Sequence, residues 1–376
     1  MKVLHVVTLH TPTHEFGGPT RVALSLCRGL RARGERAVLA ALGDGFPGGE
    51  ALPREVEGVP VRLFQARHVL PRFEVSGITS PELMARAWGY VRSADVVHVH
   101  LMRDLITLPL ALIALQAGKP LVLQTHGMVD PTEKRVAQVV DRLGVRRVLR
   151  RADAVLYLTE RERRETAEVV APRPIAPQFR LVNGVAAQAE RRRTQGPPRV
   201  LYLARVQAGK RPEDFVGAMP AVLAKHPDAR FVLAGPDTGA LAGTLARAEE
   251  LGVRDSLEHP GALDGRERVM AELRRADVFV LPSVQDAFSV SVLEAMSVGT
   301  PVVVTSTTGL APDVARAGAG RVIDPGSEAV AEAVLDLLDP AANEEASRAA
   351  FALVREEFTI DGVIDTLLDV YRRVRR

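Results

Sequence analysis

The chain has 376 residues with 47% hydrophobic and 25% charged side chains, which is typical of a globular protein long enough for two α/β domains. A formal net charge of +3 does not indicate a nucleic-acid-binding protein, and the one cysteine, Cys27, excludes an intrachain disulfide framework and a cysteine-based zinc site. No stretch approaches the ~20 uncharged apolar residues that cross a bilayer. The strand-like run directly after Met1 and Lys2 does not resemble a signal peptide, so we expect a cytoplasmic protein.

Short apolar runs alternate with segments of helical periodicity, a pattern typical of parallel sheets built from βαβ units. The strands predicted in the first half are residues 3–9, 37–42, 61–64, 96–99, 121–123 and 154–158. Those predicted in the second half are residues 200–203, 230–234, 256–259, 278–281 and 302–304. The predicted fold class is therefore α/β, with two doubly wound Rossmann-like domains that bind ligands at the carboxyl ends of their strands. The sequence has no Gly-x-Gly-x-x-Gly after these runs, which disfavours a dinucleotide-dependent dehydrogenase.

A polar segment, residues 186–198, is the predicted linker between the two halves, because it is rich in Arg and Gln and ends in Gly-Pro-Pro. The predicted domains are then residues 1–185 and 199–360, followed by a helix over residues 361–376 with a broad apolar face. The residues themselves leave open whether this last helix closes the second domain or packs on the first.

Two loops in the first half carry residues suited to ligand binding. Gly17 and Gly18 follow the first strand, and adjacent glycines let a backbone approach a ligand closely, although Gly-Gly-Pro is also a common turn. His126 follows the fifth predicted strand, where an imidazole can donate or accept a hydrogen bond at neutral pH. His98 and His100 alternate on one strand face. Because no third ligand has a convincing spacing, we interpret them as packed strand residues and predict no metal site.

The segment from 134 to 151 contains seven Lys and Arg residues interleaved with apolar ones, which predicts a basic amphipathic helix. One interpretation is contact with an anionic membrane surface, where each cation contributes about 1 kcal/mol. The other interpretation, which we prefer on sequence grounds, packs the apolar side of the helix on the sheet and leaves the arginines in solvent.

Two cations follow the first strand of the second half. Arg205 and Lys210 are separated by four residues, so they can straddle a diphosphate and neutralise the charge on a departing nucleotide. A solvated basic loop explains the same pattern. However, lysine is uncommon in this arginine-rich chain, which favours a function for Lys210.

Residues 282–304, which we call the acidic block, carry more information than any other stretch. A polar loop with Asp286 follows an apolar strand, a helix starts near Ser289, and Glu294 lies eight residues after Asp286. The unpaired N–H groups of a helix N-terminus suit phosphate, while carboxylates accept hydrogen bonds from sugar or ribose hydroxyls. A nucleotide sugar has both kinds of group. A plain βαβ unit with surface acids is the alternative.

The acidic block resembles the signature of the GT4 family of retaining glycosyltransferases, in which two acidic residues separated by seven are followed by Leu-Glu-Ala and Gly-Thr-Pro. Here Asp286 replaces the usual Glu, and Ser289 stands where the family mostly has Gly. Arg205 and Lys210 match the Arg-x4-Lys motif of the family. The resemblance implies a GT-B fold, with two Rossmann-like domains facing each other across a cleft and a last helix that crosses back onto the first domain.

The resemblance also implies roles for individual residues. Glu294 is expected to bind the ribose hydroxyls of the donor, Asp286 to hold hydroxyls of the transferred sugar, and His126 to orient that sugar. Arg205 and Lys210 are expected to bind the diphosphate. The further positions expected against the donor are Gly17, Gly18, Gly235, Phe288, Ser289 and Val290. The catalytic set is His126, Asp286, Arg205 and Lys210.

The predicted function is that of a retaining glycosyltransferase, which moves a sugar from a nucleoside-diphosphate sugar to a hydroxyl group of a glycan, glycolipid or natural product. The prediction includes no metal, no cofactor besides this co-substrate and no nucleic acid, and it allows peripheral contact with the inner membrane face through residues 134–151. A nucleotide-sugar 2-epimerase on the same fold is one alternative. A non-catalytic nucleotide-sugar binder is another, although the presence of His126, Arg205, Lys210 and Glu294 in one chain argues against it.

Overall fold

The structure is a computed structural model that describes residues 1–12, 18–46, 51–191, 196–263, 265–284 and 286–375. The described strands are β1 (Lys2–His10), β2 (Arg36–Gly43), β3 (Glu55–Val56), β4 (Val59–Gln65), β5 (Arg67–His68), β6 (Ile78–Thr79), β7 (Val96–His100), β8 (Leu121–Gln124), β9 (Ala154–Tyr157), β10 (Gln178–Arg180), β11 (Arg199–Leu203), β12 (Arg230–Ala234), β13 (Leu257–Gly261), β14 (Val278–Leu281), β15 (Val302–Thr305) and β16 (Gly320–Ile323). The described helices are α1 (Gly18–Ala32), α2 (Pro81–Ser93), α3 (Thr107–Gln116), α4 (Arg135–Val140), α5 (Arg146–Arg151), α6 (Glu160–Val170), α7 (Pro212–Gly217), α8 (Met219–Lys225), α9 (Leu241–Glu250), α10 (Arg266–Arg275), α11 (Val290–Ser297), α12 (Ala311–Ala317), α13 (Ser327–Leu338), α14 (Pro340–Glu357) and α15 (Ile360–Val374). In this part of the chain, no helix combines the length and the apolar character that crossing a bilayer requires.

The chain divides into two compact units. The first unit comprises Met1–Asn183 and Ile360–Arg376, and the second comprises Gly184–Thr359. The segment predicted as a linker, residues 186–198, therefore lies in the second unit. The side chain of Arg191 is buried there and donates hydrogen bonds to the carbonyl of Gly299 (3.1 Å) and to the side-chain oxygen of Asn343 (2.8 Å). These oxygens compensate the desolvation of a buried cation and tie the segment to the second unit.

The first unit is built on a sheet with the strand order β10-β9-β8-β7-β1-β2-β4-β3, in which only the described pair β3 and β4 is antiparallel. Helices α2, α3 and α5 cover one face of this sheet, and α1 and α15 cover the other. Helix α15 buries Ile364, Leu367 and Tyr371 completely. The apolar face predicted for the last helix is thus part of the core of the first unit.

The second unit is built on a parallel sheet with the order β13-β12-β11-β14-β15-β16. Its first strand, β11, lies in the middle, between β12 and β14. The strand order therefore reverses at β11, and ligands of doubly wound folds bind at the carboxyl ends of the strands at such a point.

The predicted α/β fold class is confirmed, and each predicted strand is present to within a residue or two at either end. The short strands β3, β5, β6, β10 and β16 were not predicted. β16 has few apolar residues, and its backbone runs so close to β15 that a Cβ atom on Gly320 would lie 1.9 Å from the carbonyl oxygen of Val302. Pairing with a neighbouring strand, which short-range periodicity does not report, therefore determines this edge.

The basic segment 134–151 differs from the single helix that we predicted. It consists of α4, a π-helical turn over Asp141–Val145, and α5. The second half packs on the sheet as we preferred, because Val148 and Leu149 are fully buried. That interpretation is wrong for the first half, where Val136, Val139 and Leu143 are 55%, 50% and 77% exposed. These three side chains, which we call the apolar stripe, share one helix face by their spacing.

Candidate functional site

Most of the predicted site residues follow three adjacent parallel strands of the second unit, β12, β11 and β14. The carboxyl ends of these strands meet at one edge of the sheet, so the loops after them are neighbours. Gly235 follows β12, Arg205 and Lys210 follow β11, and Asp286 lies in the loop after β14. The fold of this unit thus gathers residues that are far apart in the sequence.

Lys210 and Asp286 form an ion pair at this edge. The Lys210 Nζ atom lies 2.5 Å from Asp286 Oδ2, and the two side chains are only 15% and 11% exposed. Backbone bonds hold the two loops together, because Gly209 O accepts hydrogen bonds from Val284 N and from Ser283 Oγ, both at 3.1 Å. The structure thus brings the two residues together, although the resemblance assigned one to the diphosphate and the other to the sugar.

Arg205 is exposed, and its guanidinium makes no hydrogen bond or ion pair with any residue that the structure describes. The backbone of Arg205 is fixed nevertheless, because its carbonyl oxygen accepts a hydrogen bond from Tyr202 Oη at 3.2 Å. A guanidinium on a fixed backbone with five unused N–H donors is suited to binding an anionic ligand.

Gly235 has a packing reason to be glycine. Its φ angle is +142°, and a Cβ atom there would lie 1.8 Å from the carbonyl oxygen of Ala204, the residue that precedes Arg205. The loops after β11 and β12 also share a backbone hydrogen bond from Val206 N to Pro236 O (2.9 Å). Gly235 therefore positions the arginine loop, whether or not its own backbone contacts a ligand.

The start of α11 presents backbone N–H groups. Ser289 precedes the helix with an extended conformation, and its side chain makes no capping hydrogen bond among the described residues; its Oγ lies 3.1 Å from Ser291 Oγ. The first-turn amides, including that of Val290, thus have no side-chain cap, which suits an anion. Phe288 is buried against Phe358, with ring centroids 6.0 Å apart, so its side chain is not available to a ligand.

Glu294 lies on α11 and is 9% exposed. Asp286 is fixed at the other end of the same loop, because its carbonyl oxygen accepts a hydrogen bond from Gly309 N at 3.0 Å. The acidic block therefore has the local structure that its sequence predicts, a strand, a polar loop with one carboxylate and a helix with the other.

In the first unit, His126 follows β8 in an uncommon backbone conformation. Its φ angle is +52° and that of Gly127 is +72°. A non-glycine residue in this region costs about 1–3 kcal/mol and persists only where its surroundings enforce it. Here the enforcing group is the buried carboxylate of Glu162, whose Oε1 accepts hydrogen bonds from Gly127 N (2.7 Å) and Thr125 Oγ1 (2.6 Å). Its Oε2 accepts one from Leu158 N (2.6 Å).

Glu162 is a residue that our sequence reasoning missed. It lies in the first turn of α6, where its own N–H donates to Thr159 Oγ1 at 3.1 Å. The sequence Thr-x-x-Glu directly after the strand β9 is a capping-box pattern, so a signal for the helix start was present. The pattern indicates a cap, however, and gives no reason to expect that the carboxylate also holds the His126 loop.

His126 contacts a second histidine. Its Nε2 lies 2.7 Å from His100 Nδ1, and burial lowers the pKa of His126 to about 3, so the ring is neutral at physiological pH. His98 and His100 are packed strand residues as predicted. Sequence spacing offered no third ligand for this pair, and the structure brings one near, because parallel pairing places His5 of β1 directly opposite His98 of β7.

Of the glycine pair after β1, Gly17 lies outside the described residues. Gly18 begins α1, and a Cβ atom there would meet nothing within 4 Å, so packing does not require a glycine. The position of this helix start is fixed by Thr20, whose Oγ1 donates a hydrogen bond to Leu9 O at 2.7 Å. The described site residues are thus divided between the units, with Gly18 and His126 in the first and the others in the second.

Comparison with known proteins adds evidence that the geometry alone does not supply. Residues 186–351 match the family model for glycosyl transferases group 1, and residues 17–178 match that for the glycosyl transferase 4-like domain. A glycogen synthase of Mycobacterium tuberculosis is 29% identical over 298 residues, which cover 75% of this chain and 69% of the relative. A D-inositol 3-phosphate glycosyltransferase of Thermomonospora curvata is 29% identical over 420 residues, covering 98% and 93%. The crystal structure of HepE from Anabaena in complex with UDP matches 98% of this chain and 99% of its own, with a TM-score of 0.76 at 16% identity.

Proposed function

Because the chain belongs to the GT4 family of glycosyltransferases and uses a nucleotide-sugar donor, we propose that it transfers the sugar to a hydroxyl acceptor with retention of the anomeric configuration and without a metal ion. The observation that supports this proposal best is the ion pair of Lys210 and Asp286 at the carboxyl edge of the second sheet, with Arg205 in the same loop as Lys210. This arrangement offers separate groups for the two parts of a nucleotide sugar.

The diphosphate is bound by Arg205, Lys210 and the first-turn amides of α11. As the bond to the sugar breaks, negative charge develops on the leaving nucleoside diphosphate, and fixed cations and N–H groups stabilise that charge without reorganising. In this proposal they take the place that a divalent cation has in other phosphate-transferring sites. The ion pair with Asp286 positions the Lys210 ammonium group, and the phosphate of the donor competes with this carboxylate for it.

The sugar and the ribose are bound by carboxylates and by His126. Asp286 accepts hydrogen bonds from hydroxyls of the transferred sugar, and Glu294 accepts them from the ribose. His126 stays neutral and therefore contacts the sugar as a hydrogen-bond partner rather than as a charge. Since the sequence offers no obvious protein nucleophile, we infer front-face attack, in which a phosphate oxygen of the donor accepts the proton of the attacking hydroxyl while the bond to the leaving phosphate breaks.

A thermal-shift screen with UDP-, GDP-, ADP- and dTDP-sugars tests donor binding first. A donor at 100 times its dissociation constant should stabilise the folded chain by about 2.7 kcal/mol. Lys210→Ala should abolish the shift, whereas Lys225→Ala, which removes an exposed lysine of the same unit, should preserve it. Equal shifts for both variants would contradict the assignment of the diphosphate site.

Product analysis tests the reaction. Because two of the relatives are named for glycogen synthesis and for transfer to inositol 3-phosphate, an α-glucan and D-inositol 3-phosphate are the first acceptors to test. With an α-linked donor we expect an α-linked product by NMR and the same rate in EDTA. A β-linked product would refute retention, a loss of rate in EDTA would refute metal independence, and an epimerised donor in the absence of acceptor would favour the epimerase.

We also propose that the first unit contacts anionic membranes through the basic segment 134–151. The apolar stripe is exposed, and the exposed cations Arg135, Arg142 and Arg147 lie on the same short segment. Apolar side chains flanked by arginines fit the boundary between headgroups and acyl chains of an anionic lipid surface.

Sedimentation with vesicles tests this contact. Binding should require anionic lipid, decrease with salt, and decrease for Leu143→Ser, which removes the most exposed member of the apolar stripe. Val69→Ser removes a side chain that is 49% exposed elsewhere in the first unit and serves as the matched control. Equal binding of both variants, or binding to neutral vesicles alone, would contradict the proposal.

A further inference from the structure

A cavity of about 230 Å³ lies in the first unit, beside the basic segment. Three of its lining side chains, Gln138, Arg142 and Arg146, come from that segment. Thr132 lines it from the loop that precedes α4, and Glu168 lines it from α6. We call this space the arginine cavity. Its volume far exceeds the about 10–15 Å³ that one buried water molecule needs, so it has room for a small polar group.

Helical spacing brings the three side chains of the basic segment to one side. Gln138, Arg142 and Arg146 are four residues apart in the continuous run of α4, the π-helical turn and α5. Residues at this spacing are neighbours on a helix surface. The Gln138 Nε2 atom also donates a hydrogen bond to the carbonyl oxygen of Thr132 at 3.0 Å, which fixes the loop that forms the opposite wall. The two guanidinium groups thus line the same enclosed space.

The charges that line the arginine cavity do not balance. Asp141 also lines it, but its carboxylate is already paired, because it accepts hydrogen bonds from Arg103 Nε (2.8 Å) and Arg103 Nη2 (3.1 Å). Among the described residues, none forms an ion pair or a side-chain hydrogen bond with the guanidinium of Arg142 or Arg146. The carboxylate of Glu168 is exposed and has no ion pair with them either. Two unpaired cations and one unpaired carboxylate leave an excess of positive charge, which favours an anionic ligand.

Arg146 carries a donor that has no acceptor. Its Nε atom is buried and makes no hydrogen bond within the described part of the chain. An unpaired buried donor is unfavourable, and in native proteins such a group usually has a ligand or a bound water as its partner. The guanidinium presents its N–H groups in a planar fork that matches two oxygens of one phosphate group. A phosphate therefore satisfies both the geometry of Arg146 and the charge of the cavity.

Water alone is the competing explanation. A water molecule can accept a hydrogen bond from Arg146 Nε, but it carries no charge and leaves the arginines uncompensated. Rotation of Glu168 toward the cavity compensates one of the two cations at most. A phosphodiester has one negative charge, and together with Glu168 it balances Arg142 and Arg146. The charges of the lining thus favour a phosphodiester over water and over a doubly charged phosphate.

The apolar stripe indicates where this phosphodiester comes from. Val139 directly follows Gln138, and Leu143, which is 77% exposed, directly follows Arg142. Successive residues are about 100° apart around a helix, so the stripe lies beside the side that lines the arginine cavity. A phospholipid has both parts, a phosphodiester for the cavity and acyl chains for the stripe. A soluble phosphate ester uses only the cavity and leaves the stripe in water.

We propose that the arginine cavity binds the phosphodiester headgroup of an anionic phospholipid, with Arg142 and Arg146 on the phosphate and Glu168 accepting hydrogen bonds from hydroxyl groups of the headgroup. Phosphatidylglycerol has this chemistry. The inference rests on the membrane contact proposed above and deepens it, since a headgroup site selects a lipid by its chemistry, whereas a basic surface responds only to charge. A bound headgroup also orients the first unit on the membrane, because the cavity and the stripe must meet the same lipid.

Vesicles of equal charge separate these two kinds of binding. One set contains phosphatidylglycerol, and the other, matched in zeta potential, contains cholesteryl hemisuccinate, which has a carboxylate in place of the phosphodiester. We expect the wild type to bind the first set at least about tenfold more tightly, which corresponds to about 1.4 kcal/mol. Equal affinity for the two sets overturns the proposal, because surface charge alone then explains the binding.

Substitutions of two neighbouring arginines provide a matched pair. Arg146→Gln removes a cation that lines the cavity and should abolish the preference for phosphatidylglycerol. Arg147→Gln removes an exposed cation that does not line it, so binding to both sets should weaken by the same factor and the preference should remain. Arg146→Lys keeps the charge but lacks the planar fork, and it should also lose most of the preference. A preference that survives in the Arg146 variants overturns the proposal.

NMR of protein labelled with ¹⁵N-arginine tests the cavity without a membrane. Dihexanoyl phosphatidylglycerol below its critical micelle concentration should shift the Nε–H signal of Arg146, which is assigned by its absence from Arg146→Lys, and the shift should saturate. Inorganic phosphate at the same concentration should shift it less, since it has no acyl chains for the stripe. An unshifted Arg146 signal, or tighter binding of inorganic phosphate than of the lipid, overturns the assignment.

The failure of this inference differs from the failure of the proposed function. If vesicles bind without a headgroup preference, the membrane contact stands and the arginine cavity is not a headgroup site. If the short-chain lipid shifts the Arg146 signal and no vesicle binds, the cavity stands and the membrane contact fails. Sugar transfer is assayed with soluble acceptors and depends on neither result.

Discussion

Lowering the pH from about 7.5 to about 5.5 should destabilise the first unit by at least about 4 kcal/mol, because three of its histidines are fully buried as neutral rings. His126, whose pKa is also lowered by burial, adds to this loss. His5, His98 and His100 are each at most 1% exposed. Burial lowers the pKa of His5 to about 3 and holds the pKa values of His98 and His100 well below their ordinary range, with the neighbouring histidines adding a smaller effect in the latter two. Folding therefore excludes protons that the unfolded chain would bind.

These lowered pKa values determine in which direction the free energy of unfolding changes with pH. Above the unfolded pKa of about 6.5, both states are neutral and the pH has little effect. Below it, the unfolded chain takes up protons that the folded unit does not bind, so the free energy of unfolding falls with pH until the folded pKa values are reached. At one pH unit below 6.5, each histidine contributes about 1.4 kcal/mol to this loss, and three contribute about 4 kcal/mol. This loss is a large fraction of the free energy of unfolding of a typical protein, which is about 5–15 kcal/mol.

The assay is urea unfolding followed by tryptophan fluorescence, since Trp88, the one tryptophan of the chain, lies on α2 and reports on the first unit. His98→Gln should reduce the pH dependence by about 1.4 kcal/mol. His68→Gln, which removes an exposed ring of the same unit, should leave it unchanged. Asp104 opposes the effect, because burial raises the pKa of this carboxyl, but its contribution cancels between the wild type and the variants. The reasoning fails if His98→Gln and the wild type show the same pH dependence.

Three further predictions concern single residues. Asp286→Glu should retain measurable turnover, whereas Glu294→Ala should mainly raise the donor KM; unchanged steady-state kinetics for both would refute the assigned roles. Glu162→Gln should lower kcat and speed hydrogen exchange at Gly127 N, because the glutamine side chain can accept only some of the hydrogen bonds that the carboxylate accepts. Each of these charge-assisted bonds is worth about 1.5–3 kcal/mol. Exchange at Gly127 N that stays as slow as in the wild type would contradict this. Gly235→Ala should destabilise the second unit by more than about 1 kcal/mol in thermal unfolding, since the new Cβ atom would lie 1.8 Å from the carbonyl oxygen of Ala204. An unchanged melting temperature would show that the loop adapts.

Local patterns in the sequence were sufficient for the eleven predicted strands and for the acidic block. Alternation of apolar runs with helical periodicity reflects the requirement that each strand and helix bury a face, and this requirement acts over a few residues. Asp286, Ser289 and Glu294 are close in the chain, so their loop and helix are predicted by residues that are also their spatial neighbours. The same holds for Arg205 and Lys210.

The tertiary structure alone decided which distant residues touch. The Tyr371 hydroxyl lies 3.2 Å from His5 Nε2, although the two residues stand near opposite ends of the sequence. The Glu162 carboxylate, which follows β9, accepts a hydrogen bond from the His126 loop, which follows β8. The exposure of the apolar stripe was also decided by the tertiary structure, because an amphipathic pattern does not indicate which part of an apolar helix face packs against another element. Periodicity records the tendency of a side chain to be buried. The identity of its contacts depends on sheet order and register, which are set by the packing of the whole unit.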